Sequence, residues 1–486
     1  MRRGTPKLRI VECDAALQEI SSRMPFRYGT ASLTRAPLLH VRVKVAGKDG
    51  KEAFGFAGDC LPPFWFDRDP AKSYARQIED QLNGFRAARH AYLECAAIPL
   101  APWEIWQVSH PRTLDECARR GLNPLTAAFG GSFLERAVID AVCRLKQMSF
   151  FEILHGDLLG FDTSRHLRAE PLAEVQCRHT IGLSDPITQG EIPEAERAGD
   201  GLPQALEDDI DLYGLTRFKV KVSGEHDRDL ERLSRIAVLI HQRCRSGYAV
   251  TIDANEQYAG AAGLERLFEA VRSKPYGKEL LAALLFIEQP FPRELALKPD
   301  AAGEVARLSR HAPVIIDESD DSLDAFERAV SLGYLGVSHK SAKGIFKSFL
   351  QHAWIAKENK ARKKQKLRLL FQAGEDLACL PVVPLQQDLA ALAALGIEHA
   401  EKNSHHYFRG LTHLPPAESA SAARAHPDLY EEREGAFYLR IQQGAISTKS
   451  VSAALGFGHT SEPAFEERVP IDRWSFDRLE ALERHA

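Results

Sequence analysis

The 486-residue chain is 44% hydrophobic and 27% charged, the balance of an ordinary globular protein rather than a disordered or fibrous one. A formal net charge of −4 gives no electrostatic footprint for nucleic acid or an anionic membrane face, so a small-molecule partner is favoured. The basic N-terminus lacks the apolar stretch of a secretory signal, and the longest strongly apolar run, Leu280 to Ile287, cannot span a bilayer; no membrane partner and a cytoplasmic location are expected.

Leu39, Val41, Val43 and Val45 alternate with His40, Arg42 and Lys44, and Asp49-Gly50 turns the chain into a second strand, which predicts one antiparallel hairpin. From about Pro70 to about Gly156 helical patterns dominate, with Gly/Pro punctuation at 121–131, and read as a helical layer of the same domain. From about Glu174 short apolar strands alternate with amphipathic helices, the pattern of parallel βα units. Seven or eight are counted, on HTIGLSD, RFKVKVS, YAVTIDA, LLFIEQP, PVIIDES, YLGVSHK, LRLLFQA and IEHAEKN. The helix after the second carries Leu230, Leu233, Ala237 and Ile240 along one stripe. Eight cysteines without a C-x-x-C pair read as reduced thiols, with no disulfide and no zinc site.

Eight such strands close a barrel, in which each unit takes roughly 31 residues and active-site groups stand at the C-terminal strand ends. Charged residues recur there at that interval: Lys221 to Asp253 is 32 residues, Asp253 to Glu288 is 35, Glu288 to Asp317 is 29 and Asp317 to Lys340 is 23. Five charges in one mouth are costly unless they neutralise one another or bind an ion. Asp253, Glu288 and Asp317, from three adjacent strands, offer hard oxygen ligands suited to magnesium, with manganese as an alternative. Lys221 and Lys340, four strands apart, face each other across the cavity. A cation on a carboxylate substrate stabilises the enediolate formed when the alpha proton leaves, and a lysine serves as base if burial and the nearby cation lower its pKa.

The pieces Lys219-Val220-Lys221, Asp253-Ala254-Asn255, Glu288-Gln289-Pro290, Asp317-Glu318-Ser319 and Lys340 followed by Lys343-Gly344 resemble the mandelate racemase and muconate lactonizing branch of the enolase superfamily. The pairing of a Lys or His base with magnesium in such sites is a known example. The resemblance covers about residues 174–410 well. It implies an α/β fold, a TIM-type (β/α)7β barrel with an α+β capping domain built from both chain ends. The expected division is 1–170 for the N-terminal cap, 171–415 for the barrel and 416–486 for a segment packing back on the cap. It further implies Lys221 and Lys340 as acid/base residues, Lys219 as the holder of the substrate carboxylate, and Asp253, Glu288 and Asp317 as metal ligands. A strand-six lysine, with no histidine in Gln372-Ala373-Gly374-Glu375-Asp376, places the chain nearer the muconate lactonizing subgroup. Gly344-Ile345 replaces the usual double glycine.

Plainer roles compete for each residue. Lys-x-Lys on a strand is usually a solvated face, and Asp253 and Asp317 alone could be helix N-caps. Asn255 and Glu318 are expected behind the ligands. Glu375 and His405, in Asn403-Ser404-His405-His406-Tyr407, are candidates for the far end of the substrate, although a His pair in a loop is more often structural. Pro25-Phe26-Arg27-Tyr28-Gly29 and Leu61-Pro62-Pro63-Phe64-Trp65-Phe66 read as two lid loops, with Phe26, Tyr28 and Trp65 toward the substrate. The basic run Lys357 to Lys366 reads as a solvated helix end. The expected activity is therefore magnesium-dependent abstraction of the proton alpha to a carboxylate, with racemisation, epimerisation or cycloisomerisation as outcome. Dehydration of a hydroxy or sugar acid, a lyase reaction, is the alternative; a non-catalytic metal-binding barrel is a second, opposed by the two lysines. A homo-oligomer is compatible with either.

Overall fold

The computed structural model describes residues 4–28, 31–95 and 98–477, with the side chains of residues 28, 31 and 32 outside that description. An N-terminal meander, β1 (Leu8–Tyr28), β2 (Ala31–Gly47) and β3 (Glu52–Cys60), leads into α1 (Tyr74–Cys95), α2 (Pro102–Arg119), α3 (Pro124–Lys146) and α4 (Phe150–His155). Then follow β4 (Glu174–Ile181), α5 (Leu206–Tyr213), β5 (Arg217–Lys221), α6 (His226–Arg243), β6 (Ala249–Asp253), α7 (Ala261–Arg272), α8 (Gly277–Ala282) and β7 (Leu284–Glu288). The alternation continues through α9 (Arg293–Ala296), α10 (Ala301–Leu308), β8 (Val314–Ile316), α11 (Ala325–Ser331), β9 (Gly336–His339), α12 (Ile345–Lys364), β10 (Phe371–Gly374), α13 (Val383–Leu395) and β11 (His399–Glu401). The chain ends on α14 (Ser404–Tyr407), α15 (Pro416–Ala425), β12 (Tyr430–Arg433), β13 (Ala436–Leu439), β14 (Ala445–Ser447), α16 (Lys449–Ala453) and β15 (Val469–Pro470).

Strands β4 to β11 pair in sequence order, each parallel to the next, and β11 pairs back onto β4, which closes an eight-stranded barrel. All eight sequence-predicted strands are present. Short apolar runs suffice because both faces are covered, the outer by helices and the inner by side chains of the other strands. The stripe expected on α6 is buried at Leu233, Ala237 and Ile240. Phe286, Ile315 and Ala373 form an apolar floor inside the barrel, and the charged level lies beyond it toward the strands' C-terminal ends.

The N-terminal sheet is larger than the single predicted hairpin. It has four strands in the order β15-β1-β2-β3. Strand β1 runs through Glu12-Cys13-Asp14-Ala15-Ala16-Leu17-Gln18-Glu19-Ile20, rich in helix-favouring residues; pairing with β2 from Leu8 to Tyr28 overrides that propensity. Pro25 to Tyr28, expected as a loop, is instead the end of β1, with Phe26 opposite Leu33 across a register shift. The sheet packs closely on α3: a Cβ on Gly55 would lie 2.1 Å from the Ala137 carbonyl oxygen. From the chain's far end, β15 adds to the edge of β1 and β14 pairs antiparallel with the start of β4.

Candidate active site

Side chains alternate along a strand, so Lys219 and Lys221 share the inner face while Val220 faces the helices. Strand register puts Lys221 beside Asp253 and Asp253 beside Glu288, at one level of the barrel. Asp317, Lys340 and Glu375 stand just past the ends of β8, β9 and β10, and Glu401 ends β11. All are buried, Asp253 and Glu288 completely. Neither Asp253 nor Asp317 is a helix cap, since α7 starts after Gly260 and α11 after Asp324.

Positive charge is short at the centre. The Lys219 ammonium lies 3.0 Å from Asp253 and 2.9 Å from each of Glu288, Glu375 and Glu401, one cation among four carboxylates. Arg178 donates to Glu375 and its charge also reaches Glu288 and Glu401. Burial, then the charges of Asp253 and Glu375, push the Glu288 carboxyl well above the usual range. Burial also raises Glu401, but Lys219, Lys221 and Lys340 outweigh it and hold that carboxyl well below its ordinary value.

The two proposed acid/base residues are held differently. Lys221 Nζ donates to Asp253 Oδ2 (3.0 Å) and Asn255 Oδ1 (2.6 Å), and Asn255 Nδ2 donates onward to Glu318 (3.1 Å). Lys340 Nζ is 2.8 Å from Asp317 Oδ2 and lies over the Trp65 ring, 4.4 Å from its centroid. Burial pulls the Lys340 pKa down, but Asp317 outweighs it and leaves the amine above its ordinary value. The lowering that the sequence leads one to expect from burial and a nearby cation is opposed here by the Asp317 carboxylate, which Lys340 shares with Lys343.

Asp253, Glu288 and Asp317 fit a divalent cation in donor type and in burial. They do not converge on one point. Among the described residues, the group of His, Cys, Asp or Glu whose ligand atoms meet within 4.8 Å is His179, Asp209 and His405. Lys219 stands between Asp253 and Glu288, and Lys340 and Lys343 draw on Asp317. A cation would take these oxygens from ammonium groups.

The cap covers the site. A cavity of about 30 Å³ is lined by Lys219, Lys221 and Lys340 below and by Phe26, Pro62 and Trp65 above. The loop after β3 is tied down by Arg68, which donates to the Asn255 carbonyl oxygen (2.7 Å) and Glu318 (3.1 Å), and by Arg293, which donates to the Trp65 and Phe66 carbonyls. Phe26 stacks on Tyr407 with ring centroids 4.1 Å apart. Arg23 on β1 binds both Asp200 oxygens (2.7 Å each) and the carbonyls of Leu202, Pro203 and His406.

Most sequence-predicted residues thus gather at one place, Glu375 among the carboxylates around Lys219. His405 does not line the cavity: it sits outside the barrel wall against His179, 3.1 Å away. The side chain of Tyr28 lies outside the described residues. Sequence reading missed Glu401, Arg178 and Arg68. Glu401 was findable, since it ends the eighth strand as Glu288 ends the fourth; Arg68 was not, because its reach depends on how the cap docks.

No protein-family model and no curated protein matches the chain. Solved structures do. A muconate lactonizing enzyme from Mycobacterium smegmatis, complexed with muconolactone, is similar over 96% of this chain and 100% of its own at 19% identity, with a TM-score of 0.58. One from Pseudomonas fluorescens, also complexed with muconolactone, covers 95% and 98% at 16% identity and 0.58. An enolase from Bradyrhizobium, complexed with magnesium and mandelic acid, covers 96% and 99% at 15% identity and 0.58. At these identities the likeness is one of fold, cap and barrel together: the chain has the architecture of enolase-superfamily structures of the mandelate racemase and muconate lactonizing type.

Proposed function

We propose that this chain is a magnesium-dependent enzyme of that superfamily that removes the proton alpha to a substrate carboxylate, its barrel of about 171–415 roofed by 1–170 and 416–486. The supporting observation is that Lys221 and Lys340, on strands at opposite sides of the barrel, open onto one cavity with a carboxylate against each. Magnesium on Asp253, Glu288 and Asp317 would stabilise negative charge on the substrate carboxylate. Lys221, aligned by Asp253 and Asn255, abstracts the alpha proton from one face. Lys340, positioned by Asp317 under the Trp65 ring, delivers a proton to the other. Phe26 and Trp65 exclude water and contact the substrate tail, and Lys219 holds the acidic cluster together beneath.

In a racemase or epimerase each lysine is the base for one configuration. Lys221→Ala should then abolish alpha-proton exchange for one stereoisomer and spare the other, with Lys340→Ala doing the reverse, as followed by proton NMR in deuterated water across a carboxylate library. A second outcome is elimination, in which Lys221 is the only base and Lys340 protonates the leaving group. In that case Lys221→Ala alone removes exchange. Exchange of both stereoisomers that is undiminished in both variants would refute the assignment of either lysine.

A further inference from the structure

On the outer side of strand β4, away from the cavity, four ionisable side chains share a buried space that the proposed chemistry does not use. Arg178 and Thr180 reach inward to Glu375 and Glu401, so His179 between them points outward. There it meets Asp209 on α5 and His405 and His406 on α14, each no more than 6% exposed. His179 Nδ1 lies 3.1 Å from His405 Nε2, and His179 Nε2 lies 3.7 Å from Asp209 Oδ2. One ligand atom each from His179, Asp209 and His405 lies within 4.8 Å of the other two.

The polar groups here are not all satisfied by one another. His406 Nδ1 lies 3.3 Å from Asp209 Oδ1 and 3.1 Å from Oδ2, but His405 Nδ1 and His406 Nε2 have no hydrogen-bond partner. A buried imidazole nitrogen left without a partner is costly, which is why such atoms normally signal a missing one. A four-coordinate zinc ion, with bonds of about 2.0–2.1 Å, sets adjacent ligand atoms about 3.3 Å apart, and the three ligand atoms here, all within 4.8 Å of one another, would draw together by no more than about 1.5 Å to reach it. Two imidazoles and one carboxylate also select a borderline transition metal over magnesium.

We propose that His179, Asp209 and His405 bind a zinc-class divalent ion, separate from the Asp253, Glu288 and Asp317 position, and that His406 orients Asp209. The ion would join α5, which follows the first barrel strand, to α14, which follows the last, across the seam where β11 pairs with β4. It would also brace the wall on which the cap docks, since Arg23 of β1 donates to the His406 carbonyl oxygen (2.9 Å).

The test is metal content and cobalt spectroscopy on the full chain, loaded with zinc or cobalt and dialysed. The parent and the Asp253→Asn/Glu288→Gln double variant should each retain one equivalent of zinc and, with cobalt, show the visible bands of a four-coordinate site. His405→Gln and Asp209→Asn should lose that equivalent, and His406→Ala should weaken binding by roughly 10- to 100-fold. Zinc retained by His405→Gln, or lost only in the double variant, overturns the assignment. Should a variant fail to fold, the folded parent decides alone: no zinc bound and no four-coordinate cobalt spectrum refutes the site.

Discussion

Lys219 carries the heaviest electrostatic duty of any single side chain here, because four buried carboxylates share its one charge. Removing one partner of a buried ionic cluster typically costs about 3–5 kcal/mol. Lys219→Met should lower the unfolding free energy by about that amount in chelator, measured by urea unfolding. Added magnesium should then restore more stability to the variant than to the parent, whose ammonium competes for Asp253 and Glu288; equal gains would show that the cation does not enter this cluster. The two-residue spacing of Lys219 and Lys221 made their shared inner face readable from sequence. His405 was harder to place, since nearness to the end of β11 does not say on which side of the wall a following helix sets its side chains.

At the scale of elements, the start of α12 shows one helix completing another. Its N-cap is Gly344, with no side chain to offer, and the Phe346 amide instead donates to Glu135 of α3. Burial pushes the Glu135 carboxyl from 4.5 up to about 8, outweighing that amide and Arg136. The folded state therefore keeps a proton that the unfolded chain releases. The resulting stabilisation is complete below about pH 4.5 and is lost as pH rises to about 8, at up to roughly 1.4 kcal/mol per unit. Glu135→Gln keeps the acceptor and cannot ionise. It should match the parent near pH 5 and exceed it above pH 8 in urea unfolding; a parallel pH dependence would mean that Glu135 is ionised in the fold. Such a cap joins residues more than two hundred positions apart, so no local pattern announces it. The barrel strands were legible because each is an apolar run closed by a charge, whereas β1 was not, its residues favouring helix until β2 pairs with them.

For the whole molecule, cap and barrel meet through a few cationic anchors. Arg23 is the largest, with both oxygens of Asp200 and three carbonyls. Arg23→Ala should speed amide hydrogen exchange where β1 and β2 pair at Phe26 and Leu33 by at least tenfold, about 1.4 kcal/mol of local stability, with barrel amides unchanged. A uniform rise would instead mark global loosening. The change of periodicity near Glu174 made the start of the barrel legible, while a cap completed by the C-terminal segment was expected only from the family resemblance, and the docking that positions Arg23 and Arg68 depends on three-dimensional neighbours alone. The roofed cavity, at about 30 Å³, holds about two waters and is an order of magnitude smaller than a usual ligand pocket. For the proposed chemistry, a substrate larger than that cavity can enter only once Trp65 leaves its place over Lys340; where that motion is slower than proton transfer, a more viscous solvent should retard turnover while deuterium on the alpha carbon leaves it unchanged.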